Sequence, residues 1–188
     1  MKNLVIFASG NGSNFDAIVI ACQKCNIDAR VLLLICDKKD AYVIKRAQKR
    51  GVPSLVILPK DFTSKEDYEK KIIEELASYD IDLICLAGYM RIIGDTLLSR
   101  YEGKIINTHP SILPSFKGIK AIEQAMEYGV KMFGITIHFV DSSLDGGKII
   151  DQRGIYYNGN DISYIKKRLL ILEHRLYISS IKKLLTKL

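Results

Sequence analysis

Three polar side chains with complementary chemistry are the strongest functional signal in this 188-residue sequence. Asn107 and His109 close an apolar run, and prolines at positions 110 and 114 prevent a helix or strand from continuing. Side chains two residues apart at the end of a strand point to the same side. An amide donor and a titratable base are therefore expected to face one spot.

Asp145 supplies a possible third group, because Gly146 and Gly147 allow a sharp, exposed bend after it. The Asn107 amide could donate to an oxygen that becomes negative as a carbonyl is attacked. The His109 imidazole could take the proton that an attacking amine loses, and a nearby carboxylate would favour its charged form. Each residue taken singly is more typical of a cap or turn, but the combination suits acyl transfer to nitrogen.

A glycine-containing loop near the N-terminus predicts a site for an anion. An apolar strand precedes residues 9–14 (SGNGSN), and a helical pattern follows them. Ser13 or Asn14 could cap that helix, whose free N–H groups favour an anion. Phe15 replaces the third glycine of a dinucleotide fingerprint, and the lysine of a Walker A loop is missing. A single phosphate monoester is therefore the best fit.

The elements around these residues alternate between apolar strands and amphipathic helices as far as residue 128, which predicts a parallel sheet. Two longer strands then follow with only a turn between them, which indicates antiparallel pairing. We predict an α/β fold with a Rossmann-like, mostly parallel sheet, helices on both faces and an antiparallel C-terminal extension. The predicted strands are 2–8, 29–36, 54–58, 81–87, 104–108, 133–140 and 148–157, and the predicted helices are 14–25, 41–50, 65–79, 95–101, 121–128 and 161–185.

Composition limits the classes of partner. With 48% hydrophobic residues the chain can bury a full core, and its apolar runs are far shorter than the roughly 20 residues of a membrane span. The net charge of +7 comes from basic residues that are spread along the chain without an aromatic platform. A generally basic, solvated surface is the simplest interpretation, and an acidic substrate is compatible with it. We expect a cytoplasmic protein without nucleic-acid or membrane partners.

Metal chemistry has weaker support. Cys22 and Cys25 have CxxC spacing, but a second pair of ligands is missing. A metal hydrolase could use His109, Asp145 and His138, but His138 lies within a predicted strand and is more typical of a buried structural histidine. No metal is therefore expected.

Five stretches of the sequence occur in the order seen in one enzyme family. They are residues 9–14, 86–93 (LAGYMRII), 107–114 (NTHPSILP), 134–140 and 144–147 (LDGG). In these stretches, which extend over nearly the whole chain, the sequence resembles the folate-dependent formyltransferases. The SGNGSN loop is most similar to that of the phosphoribosylglycinamide formyltransferases among them.

The resemblance implies transfer of the formyl group of 10-formyltetrahydrofolate to the amine of 5-phosphoribosylglycinamide, in purine biosynthesis. Because the sequence has no internal repeat, low-complexity segment or linker, we expect a single domain, residues 1–188. The resemblance divides it into a phosphate-binding half of about 1–100 and a catalytic and folate-binding half of about 101–188. A monomer or a homodimer is expected. A formyltetrahydrofolate deformylase, another folate-dependent formyltransferase and a non-catalytic phosphate-binding protein are the alternatives.

The same resemblance implies roles for individual residues. The catalytic residues would be Asn107, His109 and Asp145. The substrate phosphate and ribose would contact Gly12, Ser13, Asn14 and Glu173. The folate would contact Lys65, Met90, Arg91, Ile92, Ile93, Asn107, Val140 and Asp141.

Three positions depart from the family pattern. Leu170, one helical turn before Glu173, stands where relatives often have a polar or basic residue, and Lys167 or Arg168 could take over that contact. Lys120 and Ile122 stand where relatives often have histidines. These departures concern substrate contacts and leave the proposed catalytic residues unchanged.

Overall fold

Seven strands form one sheet in the computed structural model, which describes residues 1–186. The strands are β1 (Lys2–Ala8), β2 (Ala29–Cys36), β3 (Ser54–Val56), β4 (Leu83–Leu86), β5 (Ile105–His109), β6 (Met132–Phe139) and β7 (Ile149–Tyr156). Their order across the sheet is β3-β2-β1-β4-β5-β6-β7. Strands β1 to β5 pair in parallel, whereas β6 is antiparallel to both β5 and β7. The predicted fold class, with its antiparallel C-terminal part, is confirmed.

The helices lie between the strands in the order that the sequence predicts. They are α1 (Ser13–Gln23), α2 (Tyr42–Arg50), α3 (Lys65–Leu76), α4 (Asp95–Arg100), α5 (Ala121–Tyr128) and α6 (Ile162–Leu185). A short 3-10 helix, Pro59–Asp61, was not predicted. Helix α3 ends three residues earlier than predicted, where the Ala77 N–H bonds to the Glu74 carbonyl and tightens the last turn. Within residues 1–186, no helix is both long and apolar enough to cross a membrane.

The sheet separates two apolar clusters. Along β1, Leu4 and Ile6 pack into the cluster that α1 and α6 cover, whereas Val5 and Phe7 pack into the cluster that α3 and α4 cover. All four side chains are fully buried. Strand β1 is therefore buried on both faces, as is typical of a central strand in a parallel sheet.

Helix α6 is tied to the sheet near its middle by Tyr177. The buried hydroxyl of Tyr177 donates to the carbonyl oxygens of Leu86 in β4, at 3.0 Å, and Ile106 in β5, at 3.2 Å. Burial raises the pKa of this hydroxyl, so the proton that makes these bonds is retained. The bonds fix α6 against the strand residue that immediately precedes Asn107.

The start of α1 differs from the prediction that Ser13 or Asn14 caps this helix. Gly12 occupies the N-cap position with a φ of 76°, and no side chain of the described residues caps the helix. A Cβ at Gly12 would lie 2.4 Å from Cγ2 of Val43. Glycine is therefore required both for the left-handed backbone and for the close approach of α2.

We expect Gly12→Ala to lower the free energy of unfolding by more than Gly51→Ala does. Gly51 has a similar φ of 70°, but a Cβ there would have no heavy atom within 4 Å. Gly51→Ala therefore reports the backbone cost alone, about 1–2 kcal/mol. Gly12→Ala adds the cost of moving Val43, about 1–3 kcal/mol. Urea unfolding of both variants measures the difference, and equal losses of stability would contradict the close contact.

Candidate active site

The end of β5 brings Asn107 and His109 to one face of the sheet, as the strand period predicts. The antiparallel register with β6 sets Asn107 opposite His138 and His109 opposite Thr136. His109 and His138 are buried, and Asn107 is partly exposed. The two imidazole rings are therefore buried at the base of the site, and the Asn107 amide remains accessible to a ligand.

His109 has an oxygen close to each of its ring nitrogens. Nδ1 lies 3.3 Å from Oδ2 of Asp145, and Nε2 lies 2.8 Å from the carbonyl oxygen of Phe116. Both oxygens are acceptors, and a neutral imidazole carries a proton on only one nitrogen. The ring can donate to both oxygens only in its doubly protonated form.

Asp145 is held by the backbone of the loop that follows β5. Its Oδ2 accepts a hydrogen bond from the Gly118 N–H at 2.8 Å. Asp145 itself has a φ of 46°, a left-handed conformation that is uncommon outside glycine. The sharp bend expected from Gly146 and Gly147 therefore falls on the carboxylate-bearing residue, and strain of this kind clusters at functional sites.

His138 orients the amide of Asn107. Its Nδ1 donates to the carbonyl oxygen of Phe139 at 2.8 Å, so the lone pair lies on Nε2. The Asn107 Nδ2 lies 3.4 Å from that nitrogen and can donate to it. Burial lowers the pKa of His138, which favours this neutral form. One amide proton of Asn107 is thereby engaged, and the other is left for a ligand.

The metal hydrolase considered from the sequence would use His109, Asp145 and His138. The structure brings all three together, with His138 Nε2 at 3.8 Å from Oδ1 of Asp145. Across residues 1–186, however, no group of three or more His, Cys, Asp or Glu side chains has the arrangement of a metal site.

The predicted phosphate and ribose residues lie around the start of α1. Because Gly12 leaves the helix without a side-chain cap, the N–H groups of the first turn, including those of Ser13 and Asn14, point toward an open end. The Oδ1 of Asn14 is buried and has no hydrogen-bond partner among residues 1–186. An anion at the N–H groups and a donor at the amide oxygen would satisfy both.

Glu173 connects this loop to β5. It lies on α6, is partly buried, and accepts a hydrogen bond from the Thr108 hydroxyl at 2.9 Å. Burial raises the pKa of Glu173, although hydrogen bonds from Thr108 and Asn14 act to lower it. The first loop, β5 and α6 therefore meet at one carboxyl group.

Part of the predicted folate set lies together beside α4. Lys65, in the first turn of α3, lines a narrow crevice there with Arg91, Ile92 and Ile93 from the loop after β4. The side chains of Met90 and Ile92 are exposed, whereas that of Ile93 is buried. An apolar ring could therefore cover the exposed pair while the backbone stays fixed.

The other predicted folate residues lie in the chain that leaves β6. Val140 packs against the same apolar cluster that holds Ile93, and its N–H donates to the Ile105 carbonyl at 2.9 Å. Asp141 is exposed and accepts a hydrogen bond from the Ser143 N–H at 2.9 Å. The loop that carries Asp145 therefore begins beside the apolar cluster that holds Ile93.

The contacts of Phe116 and Gly118 were not predicted from the sequence, since both residues contact the site through backbone atoms. Such contacts leave no side-chain signal, although a glycine after a proline loop could have been noticed. Of the departures from the family pattern, Leu170 is exposed on α6, and Arg168 donates to the Tyr164 hydroxyl at 3.1 Å. Lys120 occupies the N-cap of α5 with a φ of 56°.

Comparison with known proteins gives matches over nearly the whole chain. Residues 2–181 match the family described as formyl transferase. The phosphoribosylglycinamide formyltransferase of Bacillus subtilis (strain 168) is 51% identical, over 98% of this chain and 95% of its own length. That of Escherichia coli (strain K12) is 36% identical, over 93% and 83%. The structure of glycinamide ribonucleotide transformylase 1 from Geobacillus kaustophilus superposes with a TM-score of 0.95, at 49% identity and 98% coverage of both chains.

Neutral buried histidines predict that this protein loses stability on mild acidification. Burial lowers the pKa of both His138 and His174 below the ordinary value of 6.5. The unfolded chain then binds protons at a higher pH than the folded chain. The stability that the neutral histidines contribute is therefore fully present above about pH 6.5 and is lost as the pH falls below that value. The raised pKa of Glu173 has the opposite effect on the pH dependence of stability.

Variants of His138 and His174 measure how much each histidine contributes to the pH dependence of stability. We expect His138→Gln and His174→Gln each to make the fall in unfolding free energy between pH 7.5 and 5.5 shallower, and the double variant to make it shallower still. Urea unfolding at several pH values measures these slopes. A double variant with the wild-type slope would contradict the assignment.

Proposed function

This chain belongs to the formyl transferase family, and we propose that it transfers the formyl group of 10-formyltetrahydrofolate to the amine of 5-phosphoribosylglycinamide. The resemblance predicted from five sequence stretches is confirmed by relatives of that activity that match almost from end to end. The observation that carries the proposal is the convergence of Asn107, His109 and Asp145 at the end of β5. The reaction is a step of purine biosynthesis.

Asn107 stabilises the oxygen that becomes negative when the amine attacks the formyl carbon. One of its amide protons is directed to Nε2 of His138, and the second can donate to the formyl oxygen. Because His138 is buried and sits directly opposite in the sheet, the amide is oriented before the substrate binds. Such preorganisation stabilises the charge without further rearrangement.

His109 and Asp145 handle the proton. The new bond joins the substrate amine nitrogen to the formyl carbon, and the bond from that carbon to N10 of the folate breaks. The amine loses one proton and the departing N10 gains one, so no other reactant is required. His109, held by Asp145 at Nδ1, donates a proton from Nε2 to N10 when that nitrogen exchanges the Phe116 carbonyl for the folate, and it recovers a proton from the amine.

The two substrates occupy opposite sides of this trio. The phosphate binds the free N–H groups at Gly12, Ser13 and Asn14, and the ribose binds near Glu173. The folate binds against residues 90–93, with Lys65 and the 140–141 segment beside it. The phosphate-binding half of the single domain thus faces the catalytic and folate-binding half across β5.

Folate is a co-substrate in this scheme, and the proton transfers described use side chains of this chain alone. The proposed partners are small molecules, in a cytoplasmic protein that is a monomer or a homodimer. The location and the oligomeric state stay predictions that follow from composition and from the family resemblance.

We expect purified protein to convert 10-formyltetrahydrofolate to tetrahydrofolate only when 5-phosphoribosylglycinamide is present. His109→Ala should lower kcat about 100-fold or more, because proton transfer is lost. Asn107→Ala should lower it by roughly 100- to 1000-fold, because the oxyanion donor is lost. The absorbance change of the folate measures both rates.

His174→Gln is the matched control, because it replaces a partly buried histidine of α6 and should leave kcat unchanged. Turnover without the amine would favour a deformylase, and an absence of turnover with both substrates would favour a binding protein. A fully active His109→Ala variant would refute the role of the imidazole.

A further inference from the structure

The folate-binding loop, residues 89–93, is anchored by side chains from α3 and from the segment that follows β1. It lies between β4 and α4, outside the ladder of the sheet. At its start, the Met90 N–H donates to the Ser9 hydroxyl at 2.8 Å. Just beyond its end, the N–H groups of Gly94 and Leu97 donate to the buried carboxylate of Glu69, at 2.6 and 3.1 Å. The shape of the loop therefore depends on groups that come from other elements.

Tyr68 on α3 contacts the folate-binding loop at two places. Its hydroxyl forms a 2.6 Å hydrogen bond with the hydroxyl of Tyr89, and both tyrosines are buried. Its ring also lies under the guanidinium of Arg91, 5.5 Å from the ring centroid. The Tyr89 ring in turn packs edge-on against Phe7 of β1, with centroids 5.3 Å apart. The Tyr68 side chain thus contacts both the buried Tyr89 and the exposed Arg91 of this loop.

The hydroxyl pair is stable over the pH range in which the protein would work. Burial raises the pKa of both Tyr68 and Tyr89, and the nearby carboxylate of Asp37 raises both further. Asp37 is itself 6% exposed. Neither hydroxyl therefore ionises near neutral pH, and removing one would leave the other buried without this partner.

We propose that Tyr68 is a positioning residue for the folate co-substrate, holding residues 90–93 in the shape that folate contacts through the hydroxyl bond to Tyr89 and the stack under Arg91. This inference rests on the proposed function. Tyr68 lies at the base of the crevice beside α4, where it is 3% exposed, and it acts on the folate through the loop. Its loss affects folate binding more than the reaction, because Asn107, His109 and Asp145 lie on other elements.

Tyr68→Phe tests the hydroxyl bond, because it keeps the ring and the contact with Arg91. The KM for 10-formyltetrahydrofolate should rise roughly two- to tenfold, the range expected for one buried hydrogen bond. The KM for 5-phosphoribosylglycinamide and kcat should stay within twofold. Calorimetric titration with tetrahydrofolate should show the same fold-change in Kd, which a general loss of stability would not produce.

Tyr101→Phe is the matched control. Tyr101 is buried in the same apolar cluster and lies beside Arg100, also at 5.5 Å, but it follows α4 and is outside the folate-binding loop. Its replacement should leave both KM values unchanged. Tyr89→Phe should raise the KM for the folate as Tyr68→Phe does, and the double variant should be no worse than either, since all three lack the same bond.

Wild-type affinity for both folates in Tyr68→Phe would overturn the inference while leaving the proposed function intact. Additive effects in the double variant would also overturn it, since the two hydroxyls would then act separately. A wild-type protein that binds no tetrahydrofolate and transfers no formyl group would overturn both.

Discussion

The antiparallel register of β5 with β6 is the constraint on which the rest of this site depends. It sets the Asn107 amide opposite the buried imidazole of His138, which accepts one amide proton and leaves the other free. The same strand period directs His109 to the same face. A slip of one residue would turn these groups toward the other face of the sheet, so the site requires this pairing. The seven-stranded sheet thus forms the core of the fold and also fixes the positions of Asn107 and His109.

Backbone groups of the loop after β5 hold the His109 and Asp145 side chains in place. The Phe116 carbonyl and the Gly118 N–H contact His109 and Asp145 and so hold an imidazole and a carboxylate that would otherwise be buried at a cost. Asp145 adopts a left-handed backbone to reach this position. Because both ring nitrogens of His109 and Oδ2 of Asp145 have partners, the two side chains can be kept close together away from bulk water.

The sheet also separates the two proposed substrate-binding regions, which lie on its opposite faces. The uncapped start of α1 and the Glu173 carboxyl lie on the side of the sheet that α1 and α6 cover, and the loop of residues 89–93, the proposed folate contact, lies with α3 and α4 on the other. Strand order reverses between β1 and β4, where open α/β sheets bind their ligands. The Tyr177 hydroxyl bridges β4 and β5 beside this point, and so links the packing of α6 to the position of Asn107.

The sequence by itself determined the order of elements, the parallel-to-antiparallel change and the pairing of Asn107 with His109, because these follow from apolar periodicity and from contacts between near neighbours. It also indicated the family, from motifs that lie along most of the chain. The cap of α1 was predicted wrongly, since the close packing of Val43 that selects glycine at position 12 joins two separate helices. The partners of His109, the tautomer of His138 and the Tyr68 to Tyr89 bond were decided only by the tertiary structure. They join residues far apart in the chain or use backbone atoms common to every residue, so local sequence carries no trace of them.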